Sequence, residues 1–348
     1  MACERRNIRD RLSRVGARGY SEPVDAVAGL LDGPRAHGAF LLRSRMSPPW
    51  SLRVEDEAPL TVVAVVRGHA WLDAAGPAGG AGDGAGGGTV RRIGRGDVAV
   101  LRGPTPYTVA DEPGRPPQAV IRPGQRCVAP DGGEQTVMGD LGIRTWGNDV
   151  DGGTEMLTGT YPVPREVSQR LLRALPPALV LFDGEWDCPL IPLLADEIVK
   201  DEPGQEAVLD RLLDLLLIAV LRAWFARPDA HAPGWYRGYS DPVVGEALRQ
   251  IDHAPQQPWT VQRLARVAGV SRATLARRFS ELVGESPMAF LTGWRIALAA
   301  DLLREPQATL ESVAHQVGYA SPYALSIAFK RVRGVSPQQY RAAERSPA

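Results

Sequence analysis

Along the first half of the chain, apolar positions come in short runs broken by glycine and proline. Leu60 to Val66 is rich in β-branched residues and ends at Arg67-Gly68, and Ala70 to Asp73 follows as a second short strand, so the pattern predicts a hairpin. From Ala74 to Gly88 glycine dominates. Such a composition cannot bury a core and predicts a disordered loop. Strand character resumes at Val90 to Ile93 and Asp97 to Leu101, and Gly/Pro punctuation continues to about Thr160. A small β-barrel or sandwich is the economical architecture for this half.

After Pro164 the period changes from two to nearly four, predicting helices over Arg165 to Leu175, Leu190 to Lys200 and Gln205 to Ala226. The last carries Val208, Leu209, Leu212, Leu213, Leu216, Val220 and Trp224 at helical spacing, enough to cover more than one face. Packing on its own domain is expected ahead of contact with a second copy. Its most apolar run, Leu215 to Leu221, is bracketed by Asp210, Arg211, Asp214 and Arg222 and is far shorter than the ~20 residues of a membrane span. Arg227 to Ser240 reads as a linker.

The C-terminal third repeats itself. At an offset of 50, Ser271 aligns with Ser321, Leu275 with Leu325, Phe279 with Phe329, Gly284 with Gly334 and Ser286-Pro287 with Ser336-Pro337. Each copy follows the grammar of a helix-turn-helix. A first helix (Val261 to Ala268; Leu310 to Val317) stops at Gly269 or Gly318, and two or three residues later Ser271 or Ser321 can cap the next helix, with Pro322 at a first helical position. Projection at ~100° per residue puts Leu275, Phe279 and Leu282 on one face, and Leu325, Phe329 and Val332 on its counterpart. The opposite faces hold the candidate base readers: Ala273, Arg277 and Ser280 in the first copy, Tyr323, Ser326 and Ile327 in the second. Arg277 suits bidentate contact with guanine, and Ala273 and Ile327 suit thymine methyls. Arg272, Thr274, Arg278, Lys330 and Arg331 complete the candidate DNA contacts, mainly on phosphates. Pro287 to Arg304 joins the copies as one helix, long enough to set two recognition helices about one DNA turn, ~34 Å, apart.

Charge supports this division. The chain is neutral overall, yet residues 240–348 hold 13 Lys+Arg against 9 Asp+Glu, and five arginines fall between Arg263 and Arg278 with no acid among them. That is the local pattern a phosphate footprint needs. At 348 residues two domains are expected, 1–235 and 236–348, with an α+β fold overall. Cys3, Cys127 and Cys188 lie far apart and suggest a reduced compartment, and the N-terminal segment lacks the apolar stretch of a secretory signal, so a cytoplasmic protein is expected. The histidines are isolated, giving no metal cluster, and no cofactor is expected.

The stretch Ala314-x3-Gly318-Tyr319-x-Ser321-x7-Phe329-Lys330-x3-Gly334-x-Ser336-Pro337-x2-Tyr340-Arg341 resembles the signature of the AraC family of transcriptional regulators. Pro49-Trp50, Ala70-Trp71-Leu72, Gly96-Asp97 and Leu175-Pro176-Pro177 are similar to the cupin-type sensor of one AraC subgroup. The resemblance implies a cupin-like N-terminal β-barrel with flanking helices, effector-responsive or dimerising, that controls a DNA-binding domain of two helix-turn-helix units. The implied partners are double-stranded DNA, a small-molecule effector, RNA polymerase and a second copy of the chain, with no membrane. Ile327 stands where relatives often carry arginine, so the first unit is expected to dominate specificity. Tyr107 replaces a frequent histidine, and Thr158-Gly159 replaces a Cys-Gly pair. His69, Trp71 and Tyr107 are the candidate effector residues, weighed against ordinary core or rim packing. A cupin enzyme fused to a DNA-binding module, and a helical scaffold without DNA binding, are the competing function classes; a non-enzymatic regulator is the expectation.

Overall fold

A computed structural model describes residues 40–75, 88–161, 172–186, 188–227 and 232–345. The glycine-rich run at 76–87 and the start of the helix expected from Arg165 lie outside the described residues.

Among the described residues, thirteen strands form two packed sheets. The first runs β10(Gly139–Gly142)-β11(Thr145–Gly147)-β1(Phe40–Met46)-β12(Thr154–Tyr161)-β3(Leu60–Arg67)-β6(Val98–Arg102)-β13(Ala178–Leu181). The second runs β5(Gly88–Gly94)-β4(His69–Ala75)-β7(Tyr107–Ala110)-β2(Ser51–Val54)-β8(Ala119–Arg122)-β9(Arg126–Val128). This is a two-sheet sandwich rather than a barrel closed by hydrogen bonds.

The expected β3–β4 hairpin does not form. β3 pairs with β12 and β6, while β4 pairs with β5 and β7, so the chain changes sheets at Gly68. The run of β-branched residues in β3 has a different cause from a hairpin: the strand is buried on both faces. Val63 and Val65 enter the core between the sheets, and Leu60, Val62 and Ala64 face the helices outside. Alternation along the pleat then sends Met156 inward and Leu157 outward on β12, and Ala99 inward and Val100 outward on β6.

The outer layer is α1(Leu190–Glu197) and α2(Gln205–Ala226). Leu209, Leu213, Leu216, Leu217, Val220 and Leu221 of α2 are buried, so the wide apolar face covers its own core. Gly159 allows the approach; a Cβ there would lie 2.5 Å from Leu213 Cδ1, and Tyr161 Oη donates to the Leu213 carbonyl at 3.2 Å. No helix among the described residues is long and apolar enough to cross a membrane.

The helical part comprises α3(Gly234–Tyr239), α4(Val244–His253), α5(Val261–Val267), α6(Arg272–Val283), α7(Pro287–Leu303), α8(Leu310–Gln316), α9(Pro322–Arg333) and α10(Pro337–Arg345). The segment expected as a linker contains α3, and the expected boundary at 235/236 falls inside that helix. Trp235 is buried, and Tyr236 lies 4.6 Å from the Phe225 ring at the end of α2. One apolar cluster therefore runs from the outer face of the first sheet through α2 and α3 to Leu275 and Phe279 of α6. A second, separate cluster joins Ile296, Ala299, Ala300 and Leu303 of α7 to Val313, Leu325 and Phe329.

Candidate nucleic-acid interface and inter-sheet cavity

The two helix-turn-helix units are α5–α6 and α8–α9, and local chemistry sets their boundaries. Thr260 and Thr309 open the first helices by accepting from the N–H of Arg263 and Ser312. Gly269 (φ 67°) and Gly318 (φ 83°) make the turns in the left-handed region. Ser271 and Ser321 then cap the second helices, accepting from Thr274 N and Ala324 N at 3.2 Å each. Gly284 and Gly334 end them. Ser286 and Ser336 restart the chain as caps of α7 and α10, and Gln339 completes a reciprocal capping box with Ser336.

Leu275, Phe279, Leu325 and Phe329 are fully buried, as the projection requires. Val332 is not: it is exposed, and Ala328 takes the inward place. Val332 lies at the last turn of α9, where the small second cluster has ended. On the outer faces, Arg272, Ala273, Arg277 and Ser280 of α6 and Tyr323, Ile327, Lys330 and Arg331 of α9 are exposed, Tyr323 at 77%. Thr274 and Ser326 are half-buried, with hydroxyls already engaged: Thr274 with Ser271, and Ser326 with the Pro322 carbonyl at 2.8 Å.

The arginine cluster divides by role. Arg278 pairs with Asp241, its Nη2 2.7 Å from the carboxylate, which also accepts from Val243 N and Val244 N at the start of α4. This ties α6 to α4, with the Arg278 side chain 40% exposed. Burial pushes the Asp241 carboxyl up, but the two backbone N–H groups and Arg278 outweigh it and hold it below its ordinary value. Arg263 stacks on Trp259 at 4.6 Å. Arg266 and Arg272 are exposed with no acidic partner among the described residues. Arg277 pairs with Glu281 at 2.9 Å, both exposed. Glu281 and Arg266 were missed by sequence reasoning; Glu281 sits one helical turn from Arg277, and charge patterning at i, i+4 was the available signal.

In the sandwich, a cavity of about 160 Å³ lies between the sheets. Register places its walls. On the first sheet Phe40 faces Thr160, Leu42 faces Thr158 and Ser44 faces Met156 across the β1–β12 ladder, with Trp146 beside Ser44. On the second, Tyr107, Val54, Ile121 and Cys127 form one row across β7, β2, β8 and β9. Asp56 and Gln125 stand on the adjoining loops. Of the three expected effector residues only Tyr107 lines this cavity. On β4 it is Ala70, Leu72 and Ala74 that point between the sheets, so His69 and Trp71, at the alternate positions, are on the outer face. Cys127 lines the cavity while Cys188 packs on the helical side, so they do not share a site, and burial pushes the Cys127 thiol up, away from the reactive thiolate. No cluster of three or more potential metal ligands occurs among the described residues.

Residues 25–226 match the family described as Cupin, and residues 264–343 match the family described as Helix-turn-helix domain. An AraC-like transcription regulator of Streptomyces lividans is 35% identical over 256 residues, covering 72% of this chain and 79% of that protein. Another from Streptomyces antibioticus is 37% identical, over 61% of this chain and 70% of that protein. Among solved structures, the DNA-binding domain of AdpA in complex with a target DNA is 37% identical, with a TM-score of 0.29, covering 30% of this chain and 94% of that one.

Proposed function

The chain belongs to the AraC-like transcription regulators that join a Cupin domain to helix-turn-helix units, and from that premise we propose that α6 and α9 enter two successive segments of one major groove. The observation that carries this reading is the duplicated, serine-capped helix pair with its apolar face buried and its opposite face exposed. α7 has 17 residues, a span of about 26 Å at 1.5 Å per residue. A single chain would thus act as its own pseudo-dimer. Arg272, Ala273, Thr274, Arg277, Ser280, Tyr323, Ser326, Ile327, Lys330 and Arg331 are the contacting set, with Arg266 added and Arg278 holding α6 in place.

Arg277 has to leave Glu281 to read a base, and the energetics favour this. An exposed i, i+4 pair is worth about 0.3–0.5 kcal/mol, and a bidentate guanine contact about 1–3 kcal/mol. The arginine should therefore move to DNA. Replacing Arg277 with Ala should weaken binding to the cognate site by about 1–3 kcal/mol and relax preference at one base pair. Unchanged affinity and selectivity in a DNA-binding titration would refute that assignment.

The cavity between the sheets is the effector site in this reading, with Tyr107 kept from the original three candidates. The sensor ends before α3, because α3 packs on α6: a Cβ on Gly234 would meet the Leu282 carbonyl at 2.3 Å. A non-catalytic, cytoplasmic regulator accords with the names of the relatives, and RNA polymerase and a second copy of the chain are its further partners.

A further inference from the structure

We propose that the inter-sheet cavity takes a small amine, with an apolar body about the size of one ring and a protonated nitrogen placed at Asp56. The proposal rests on the reading of this cavity as the effector site.

Size limits the body. The cavity is about 160 Å³, and an apolar protein cavity of ~150 Å³ holds benzene. The wall is mostly aliphatic, with Leu42, Leu52, Val63, Val109 and Met156 supplying contact, and the aromatic residues Trp146 and Tyr107 among the lining.

Charge limits the head group. Among the described residues that line the cavity, Asp56 brings the one carboxyl group, and no lysine, arginine or histidine is with it. Tyr107 and Cys127 also titrate, but burial pushes both the phenol and the thiol up, so they stay neutral. The neighbouring Glu55 shows what Asp56 lacks. Glu55 is neutralised from outside by Arg53 at 3.3 Å and Arg122 at 2.7 Å. Among the described residues, Asp56 is held by neutral donors only: Ala58 N gives to one oxygen at 3.1 Å and Gln125 Nε2 to the other at 3.0 Å. Each oxygen keeps a second lone pair for a ligand donor. The carboxylate is thus positioned but not neutralised, at the edge of an apolar space where charge interactions are stronger than in water. A protonated amine supplies the missing countercharge, and the aromatic rings favour a cation as well. A carboxylate ligand would place two like charges together, with no cation among the described lining residues to offset them.

Three probes of one ring size separate these effects on the full chain: benzylamine, benzyl alcohol and benzoate, each titrated by calorimetry. Benzylamine should bind about tenfold or more tightly than benzyl alcohol, the size of a charge-assisted hydrogen bond, and benzoate most weakly. Asp56→Asn keeps an oxygen for Ala58 N and should fold. It should reduce benzylamine to the affinity of benzyl alcohol. Thr158→Trp, which fills the cavity, should abolish binding of both, and retained benzylamine binding in that variant would overturn the proposal. Equal binding of benzylamine and benzyl alcohol, or benzylamine binding unaffected by Asp56→Asn, would overturn the amine assignment and leave the cavity as an effector site. No binding by any of the three would overturn both.

Discussion

Replacing Phe329 with alanine should unfold the second helix-turn-helix unit and leave the first one and the sandwich folded. The two units have equivalent aromatic centres: Phe279 meets Phe290 edge-on at 5.7 Å, and Phe329 meets Tyr340 at 5.5 Å. Both phenylalanines are fully buried. Their surroundings differ. Phe279 belongs to the large cluster continuous with α2, α3 and the outer face of the first sheet, whereas Phe329 belongs to the separate cluster of α7, α8 and α9. Truncating a buried phenylalanine costs about 3–5 kcal/mol, and the ring pair adds about 0.5–1.5 kcal/mol. A unit of roughly 50 residues, at about 0.05–0.15 kcal/mol per residue, holds only about 2.5–7.5 kcal/mol. The loss is comparable with all the local stability, so opening should be sub-global. Amide hydrogen exchange read by mass spectrometry should show protection lost over 296–340 and kept over 244–283 and the strands. Protection lost equally in both units, or in neither, would refute the inference that the two clusters are energetically separate.

The turn glycines offer a second comparison. Both Gly269 and Gly318 are left-handed, so alanine costs about 1–2 kcal/mol at either, but only at Gly318 would the new Cβ also meet Gln256 Cα and O at 2.6 Å. Gly318→Ala should therefore lower the thermal midpoint more than Gly269→Ala; equal shifts would show that the 256 loop gives way freely. The Asp241–Arg278 tie should be pH-dependent. The Asp241 carboxyl is lowered in the folded state, so its contribution is fully present above the ordinary value of about 4 and is lost as pH falls through the lowered one. The stability gap between wild type and Asp241→Asn, followed by denaturant titration, should be widest near neutrality and close in acid; a gap that is constant with pH would exclude the ionised pair as its source.

Several sequence readings failed for related reasons. The repeat was legible because its determinants are local: a serine that accepts from an N–H three residues later, a left-handed glycine, and an apolar stripe at helical spacing can all be read within a dozen positions. The β3–β4 hairpin was misread because adjacency in sequence does not choose a partner when both faces of a strand are apolar. His69 and Trp71 were misplaced for a simpler reason. Alternation separates two sets of residues on β4, but only the packing of the two sheets decides which set faces the cavity.

What the chain alone determined is therefore the α+β division, the two capped helix pairs and the candidate faces of α6 and α9, because backbone hydrogen bonds and period operate over short distances. Tertiary structure decided the rest. It set Arg278 on Asp241, 37 residues away. It joined the first unit to the sensor through one apolar cluster and gave the second unit a cluster of its own. It also brought Asp56 to the edge of a space walled by strands from both sheets. Each depends on pairings between distant segments, and those are chosen by burial of the whole surface rather than by any local pattern.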